Sequence, residues 1–127
     1  MGRLNLLLDS HVLLWWLEDH ARLSAKTHIL IETAVVVWAS SVSAWEIEVK
    51  RLRGLLKVPL DLAFAFDASG LRPLPVTVAH ALAAARLPQH HRDPFDRILV
   101  AQAATEGLTL VTSDKQLASY DVPIILA

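Results

Sequence analysis

The chain has 127 residues, 54% of them hydrophobic and 20% charged, with no cysteine and a formal net charge of −1. That length suits one domain with one core, the apolar content excludes global disorder, and the missing cysteines exclude disulfides, thiolate chemistry and cysteine-bound zinc. The near-zero charge excludes a globally basic nucleic-acid binder, yet Lys50, Arg51, Arg53 and Lys57 cluster, and Arg92 and Arg97 flank Asp93 and Asp96.

Residues 4–8, apolar except for Asn5, are consistent with a short buried parallel strand that ends in Asp9. The run is too short for the apolar region of a signal peptide, and Asp9 interrupts it. Ser10 is expected to cap a helix over residues 11–19. Residues 12–17 of that helix are apolar almost all round. Trp15 and Trp16 there point ~100° apart, so one core does not readily bury both, and an interface with a second copy or a partner is expected. Ser24 caps a second helix, to about Thr33. Residues 35–39 are β-branched and strand-like. Ser43 is expected to cap a third helix that ends at Gly54, its C′ residue. Pro59 opens an amphipathic stretch to about Ala68, and residues 71–74 form a weak strand. Thr77 caps a helix through Arg86. Asp93 caps the next, with Pro94 at its favoured first position and Gly107 at its end. A strand over 108–111, a short helix over 114–119 and a last strand over 122–126 complete the chain.

This alternation predicts an α/β fold, a small central parallel sheet between two helical layers, as a single domain over residues 1–127. The longest apolar runs fall well short of the ~20 residues that span a bilayer, so no membrane partner is expected and the default location is the cytoplasm. The mean hydropathy of +0.40 leaves apolar surface for a protein interface.

Four acids stand where an apolar segment gives out or a helix begins: Asp9, Glu46, Asp96 and Asp114. The carboxyl edge of a parallel sheet is where functional groups gather. Asp9 ends a buried strand, where a charge is costly unless paired or metal-bound. Glu46, Lys50 and Arg53 fall at i, i+4 and i+7 on one helical face. As a surface ion pair, Glu46–Lys50 would contribute a few tenths of a kcal/mol; as part of a site, that face turns an acid and two cations towards a phosphate backbone. Asp93, before Pro94, reads as a helix cap rather than a ligand, and Asp96 as the metal ligand. Asp114 fits a cap of the short helix and a ligand or water-positioning group equally well. Carboxylates ~5 Å apart repel by roughly 3 kcal/mol at an effective dielectric near 20, so a shared site calls for a cation or shifted protonation. Oxygen ligands favour Mg²⁺ or Mn²⁺. The six histidines form no ligand pattern, and His90-His91 reads as a solvent-exposed loop. No glycine-rich phosphate loop and no nucleophile elbow occurs.

Four segments in order carry a family likeness: LLLDSHVLLWWL at 6–17, SVSAWEI at 41–47, HRDPFDRILVAQA at 91–103 and LVTSD at 110–114. With them the chain resembles the PIN-domain family and, within it, the VapC-type toxins of bacterial toxin–antitoxin pairs. The resemblance implies a three-layer PIN-like fold and a Mg²⁺- or Mn²⁺-dependent endoribonuclease that leaves 5′-phosphate and 3′-hydroxyl ends. It places the first acid on Asp9, the second on Glu46, the third on Asp96 and a more variable fourth on Asp114, and does not settle Asp93. It also implies an RNA substrate, a homodimer and a VapB-like antitoxin that covers the acidic pocket. On this reading Ser10 and Ser113 hold metal waters or phosphate oxygens, and Lys50, Arg53 and Arg97 bind flanking phosphates. The rivals are a PIN nuclease of RNA processing outside such a pair and a catalytically inactive RNA- or protein-binding module.

Overall fold

The computed structural model describes residues 4–58 and 61–127. Strand β1 (Asn5–Leu8) leads into helix α1 (Ser10–Leu17) and then α2 (Ala25–Thr33). Strand β2 (Val36–Ser40) follows, with α3 (Ser41–Leu52), α4 (Leu62–Ala68) and strand β3 (Arg72–Leu74). Helices α5 (Val78–Arg86) and α6 (Pro94–Glu106) precede strand β4 (Thr109–Thr112), a 3₁₀ turn (Lys115–Ser119) and strand β5 (Ile124–Leu126).

The five strands form one sheet in the order β3-β2-β1-β4-β5, and every pairing is parallel. Parallel neighbours require crossover connections, which put helices on both faces. The sequence of β1 records this directly. Leu6, Leu7 and Leu8 are all fully buried, Leu6 and Leu8 against Val12, Leu13 and Ile31 on one face, Leu7 against Leu99, Val100 and Leu110 on the other. Successive strand side chains point to opposite faces, so an unbroken leucine run is what a strand covered twice needs. The three-layer expectation therefore holds.

Chain order reverses about β1, which pairs with β2 on one side and with β4 on the other. Such a switch point leaves a crevice beyond the carboxyl ends of the two diverging strands. Asp9 follows β1 and Ser113-Asp114 follows β4, so both arrive at that crevice.

Two expected caps move. Asp9, not Ser10, caps α1: its Oδ1 accepts the Val12 N–H at 2.8 Å. Ser40, not Ser43, caps α3: its Oγ accepts the Val42 N–H at 3.1 Å, and Ser43 lies buried inside the helix. In both places the cap is the last residue of the preceding apolar run or the first after it, so strand and helix share a corner with no linker. Ser24, Thr77 and Asp93 cap as expected. The Thr77 cap is reciprocal, with buried His80 returning its Nδ1 to the Thr77 N–H at 3.0 Å and its Nε2 meeting Glu106 at 2.9 Å. Gly107 ends α6 at φ 68°, a conformation that favours glycine. The expectation placed on Pro59 lies outside the described residues; α4 is capped by Asp61.

Trp15 and Trp16 are each partly buried against the core, Trp16 with its ring 4.8 Å from that of His28. One helix thus does seat both indoles at the margin of one core. Large exposed apolar side chains lie elsewhere, among them Ile29 of α2, Trp45 and Leu52 of α3, Leu55, Phe64 of α4, and Val78 and Leu82 of α5. No described helix is long and apolar enough to cross a membrane.

Candidate functional site

Asp9, Glu46, Asp93, Asp96 and Asp114 line one cleft of about 410 Å³ at the carboxyl edge of the sheet, with Ser10, Lys50, His91, Ser113 and Lys115. Asp9 is 3% exposed. One of its oxygens caps α1, and Oδ2 accepts the Thr112 hydroxyl from the adjacent strand at 2.5 Å. Burial pushes its carboxyl above the ordinary range, opposed by the hydrogen bonds from Thr112 and Val12. Relieved of capping, the Ser10 hydroxyl donates to Glu46 Oε1 at 2.6 Å. Lys50 donates to Glu46 Oε2, also at 2.6 Å. The Glu46–Lys50 pair does form, but it is no surface pair, because Glu46 is only 4% exposed and both residues line the cleft. The Glu46 hydrogen bond raises the Lys50 pKa further.

The opposite wall begins at α6. Asp93 accepts the N–H groups of Phe95 at 2.9 Å and Asp96 at 3.4 Å. Asp96 Oδ2 lies 3.1 Å from His91 Nε2. Asp114 Oδ2 lies 2.9 Å from the same nitrogen, and Asp114 Oδ1 accepts the Gln116 N–H at 2.9 Å. Asp114 therefore caps the 3₁₀ turn with one oxygen and faces the cleft with the other. The Asp96 carboxyl is pushed up to about 7 by burial first and Asp93 second, with Asp9 and Glu46 adding and His91 opposing.

Three sequence expectations change. His91 is no exposed loop residue: its side chain is 16% exposed and wedged between Asp96 and Asp114. Its position in the matched segment, two residues before Asp93, was the available signal. Arg97, expected to bind a flanking phosphate, does not line the cleft. Its guanidinium donates to the carbonyls of Ala84 at 2.8 Å, Leu87 at 3.0 Å, Pro88 at 3.0 Å and His91 at 3.3 Å. One residue past Asp96, it points ~100° away round the helix, at the loop joining α5 to α6. Arg53 is the exposed C-cap of α3 and does not line the cleft. Lys115, which was not expected, does.

The donor set fits a divalent cation. Carboxylate oxygens dominate it, as Mg²⁺ and Mn²⁺ require, and side-chain atoms of Asp96, Asp114 and His91 stand within 4.8 Å of one another. Burial is what chiefly raises the Asp9 and Asp96 carboxyls, and only at Asp96 do neighbouring carboxylates add to it.

A PIN-domain family model matches residues 6–123. The chain belongs to the PIN-domain family. This PIN domain is 34% identical over 124 residues to Ribonuclease VapC22 of Mycobacterium tuberculosis, with 94% of each chain covered. Solved structures share its fold. VapBC2 from Rickettsia felis, bound to a DNA fragment from its promoter, has a TM-score of 0.73 at 13% identity, covering 97% of this chain and 98% of that one. FitAcB from Neisseria gonorrhoeae has 0.68 at 19%, covering 94% and 96%. VapBC-5 from M. tuberculosis, a toxin–antitoxin family member, has 0.64 at 22%, covering 97% and 98%.

Two outcomes follow for this PIN domain. Burial first and Asp93 second push the Asp96 carboxyl up to about 7 in the folded state, from an ordinary 3.8. Between those values the folded state holds more protons than the unfolded state, so stability falls as pH rises. In EDTA the melting temperature should drop from pH 4.5 to pH 7.5, and Asp96→Asn should flatten that slope. An unchanged slope in the variant would remove Asp96 as its cause. Asp93→Asn should keep the cap, whereas Asp93→Ala should lose about 1 kcal/mol, read from urea unfolding. If Asp93→Asn kept its stability yet lost RNA cleavage, Asp93 would move from cap to ligand.

Proposed function

We propose that this PIN domain is a VapC-type toxin, an endoribonuclease that uses Mg²⁺, with Mn²⁺ as a substitute, and is neutralised by a VapB-like antitoxin. The observation that carries the reading is the gathering of five carboxylates, two of them almost fully buried, at the switch point of a parallel sheet. Such a pocket repels RNA unless a cation intervenes, which disfavours a metal-free binding module.

A bound divalent ion supplies a water of lowered pKa and neutralises charge developing on the phosphate. Asp9, Asp96 and Glu46 are its proposed holders, with Asp114 completing the set. Ser10 and Lys50 fix both Glu46 oxygens and so set which way that acid presents itself. Thr112 does the same for Asp9. Lys50, Ser10 and Ser113 line the cleft and are the groups for phosphate oxygens; Lys115 joins them, and Arg53 and Arg97 leave that role. In-line hydrolysis then gives 5′-phosphate and 3′-hydroxyl ends. The domain acts in the cytoplasm as a homodimer, and the exposed apolar side chains of α3, α4 and α5 are the surfaces available to a second copy and to an antitoxin.

The test is cleavage of host RNA by the purified protein in Mg²⁺ and in EDTA, with new ends mapped by 5′-phosphate-dependent ligation. Cleavage in Mg²⁺ alone, lost in Asp9→Ala, is the expected result. Equal cleavage in EDTA, or binding without cleavage in Mg²⁺, would overturn the reading.

A further inference from the structure

Among the described residues, His91 is the one ring in the acid cleft that touches two of its carboxylates. Its Nε2 lies 3.1 Å from Asp96 Oδ2 and 2.9 Å from Asp114 Oδ2. Its other nitrogen, Nδ1, accepts the Asp93 backbone N–H at 3.3 Å. A ring nitrogen that accepts carries no hydrogen, so the ring proton sits on Nε2. An Nε2–H is a donor and has no lone pair for a metal.

The ring is held from outside the site as well. The His91 N–H donates to the Tyr120 hydroxyl at 3.0 Å, and the His91 carbonyl accepts from Arg97. Arg97 also grips the carbonyls of Ala84, Leu87 and Pro88. The loop from the end of α5 to Asp93 is thus fixed by a cation that faces away from the cleft, and His91 is its inward-pointing end.

Two of the other acids are held without His91. Asp9 is fixed on two oxygens, by the Val12 N–H of α1 and the Thr112 hydroxyl of β4, and Glu46 on two by Ser10 and Lys50. Asp114 follows a strand end and is 36% exposed at its side chain. Its Oδ1 is committed to the 3₁₀ turn, and its Oδ2 meets His91. An N–H shared between the two carboxylates offsets the repulsion that would otherwise part Asp96 and Asp114, and leaves each oxygen a further lone pair.

We propose that His91 is a positioning residue that clasps Asp114 to Asp96 through Nε2–H and thereby makes Asp114 part of the cation site, with Arg97 and Tyr120 holding the clasp in place. The assignment rests on the metal-dependent reading above. It separates the acids into two fixed by their own hydrogen bonds, Asp9 and Glu46, and a pair, Asp96 and Asp114, joined by a loop histidine.

The experiment is titration of the purified protein with Mn²⁺, followed by EPR of the free ion, for wild type, His91→Ala, His91→Gln, Asp114→Ala and the His91→Ala/Asp114→Ala double variant. Losing a group that orients a ligand weakens metal affinity by ~10–100-fold. His91→Ala and Asp114→Ala should each raise the Kd within that range, and the double variant should be no weaker than the weaker single one. His91→Gln, whose amide N–H reaches a similar point, should restore most of the affinity. His91→Leu, similar in volume without a donor, replaces His91→Ala if the latter does not fold. An unchanged Kd in His91→Ala or His91→Leu, or additive losses in the double variant, would overturn the clasp. So would a histidine nitrogen coupling in the spin-echo spectrum of bound Mn²⁺, because Nε2 would then be a ligand. A wild type that binds no Mn²⁺ would end the metal-dependent reading itself, a result distinct from any of these.

Discussion

Asp96→Asn should reduce RNA cleavage by more than ~100-fold, since losing a direct ligand should exceed the ~10–100-fold typical of losing its orienting neighbour, and the metal-free protein should not be destabilised. The two effects have one cause. The Asp96 carboxyl is burdened by burial and by Asp93, Asp9 and Glu46, so a neutral amide is easier to bury when no cation is present. The same amide is a poor ligand and leaves the cation one negative charge short. Asp9→Asn should share the loss of activity. Its amide oxygen keeps the Val12 cap, and the Thr112 hydroxyl can turn to accept where it now donates. Cleavage rate and melting temperature in EDTA, measured on the same preparations, check both halves. Full activity in either variant would remove that residue from the site.

Arg97→Ala should lower stability by ~2–4 kcal/mol, because a charged donor shared among several carbonyls contributes more than a neutral hydrogen bond and its removal leaves those carbonyls unpaired. For a domain of this size that is a fall of about 10 °C in melting temperature. Arg97→Lys should recover little of it, as an ammonium cannot fan out to Ala84, Leu87, Pro88 and His91 together. A phosphate-binding Arg97 predicts the reverse: an unchanged melting temperature and an RNA affinity with a shallower salt dependence. Thermal unfolding and salt-dependent RNA binding of the one variant decide between them.

The strands and most helix limits were legible in the sequence because they rest on local rules. The leucine run of β1, the Asp93-Pro94 start of α6 and the Gly107 end each have one strong physical solution. The acids of the cleft were legible for a related reason: a charge at the end of a buried strand has few structural uses. What escaped depends on direction. Whether Asp9 or Ser10 caps α1 turns on the path of one corner, and two adjacent polar residues carry the same propensity. Arg97 and Arg53 are cations near the acids in sequence, but helical rotation turns one inward and chain order leaves the other at a helix end. His91 was missed because its partners, Asp96 and Asp114, are 5 and 23 residues away, and its wedge exists only after β4 has joined the sheet.

The strand order also sets when the site can form. Asp9 and Thr112 are 103 positions apart and share a hydrogen bond, and β1 sits between β2 and β4. A ribosome that has made the first hundred residues has produced most of the acids but not the strand beside which they meet. At roughly 5–20 residues per second, a nascent chain therefore spends most of its synthesis unable to cut the message it is read from. The activity arrives late and all at once, when the penultimate strand inserts, and a neutralising protein already present has that interval to await it.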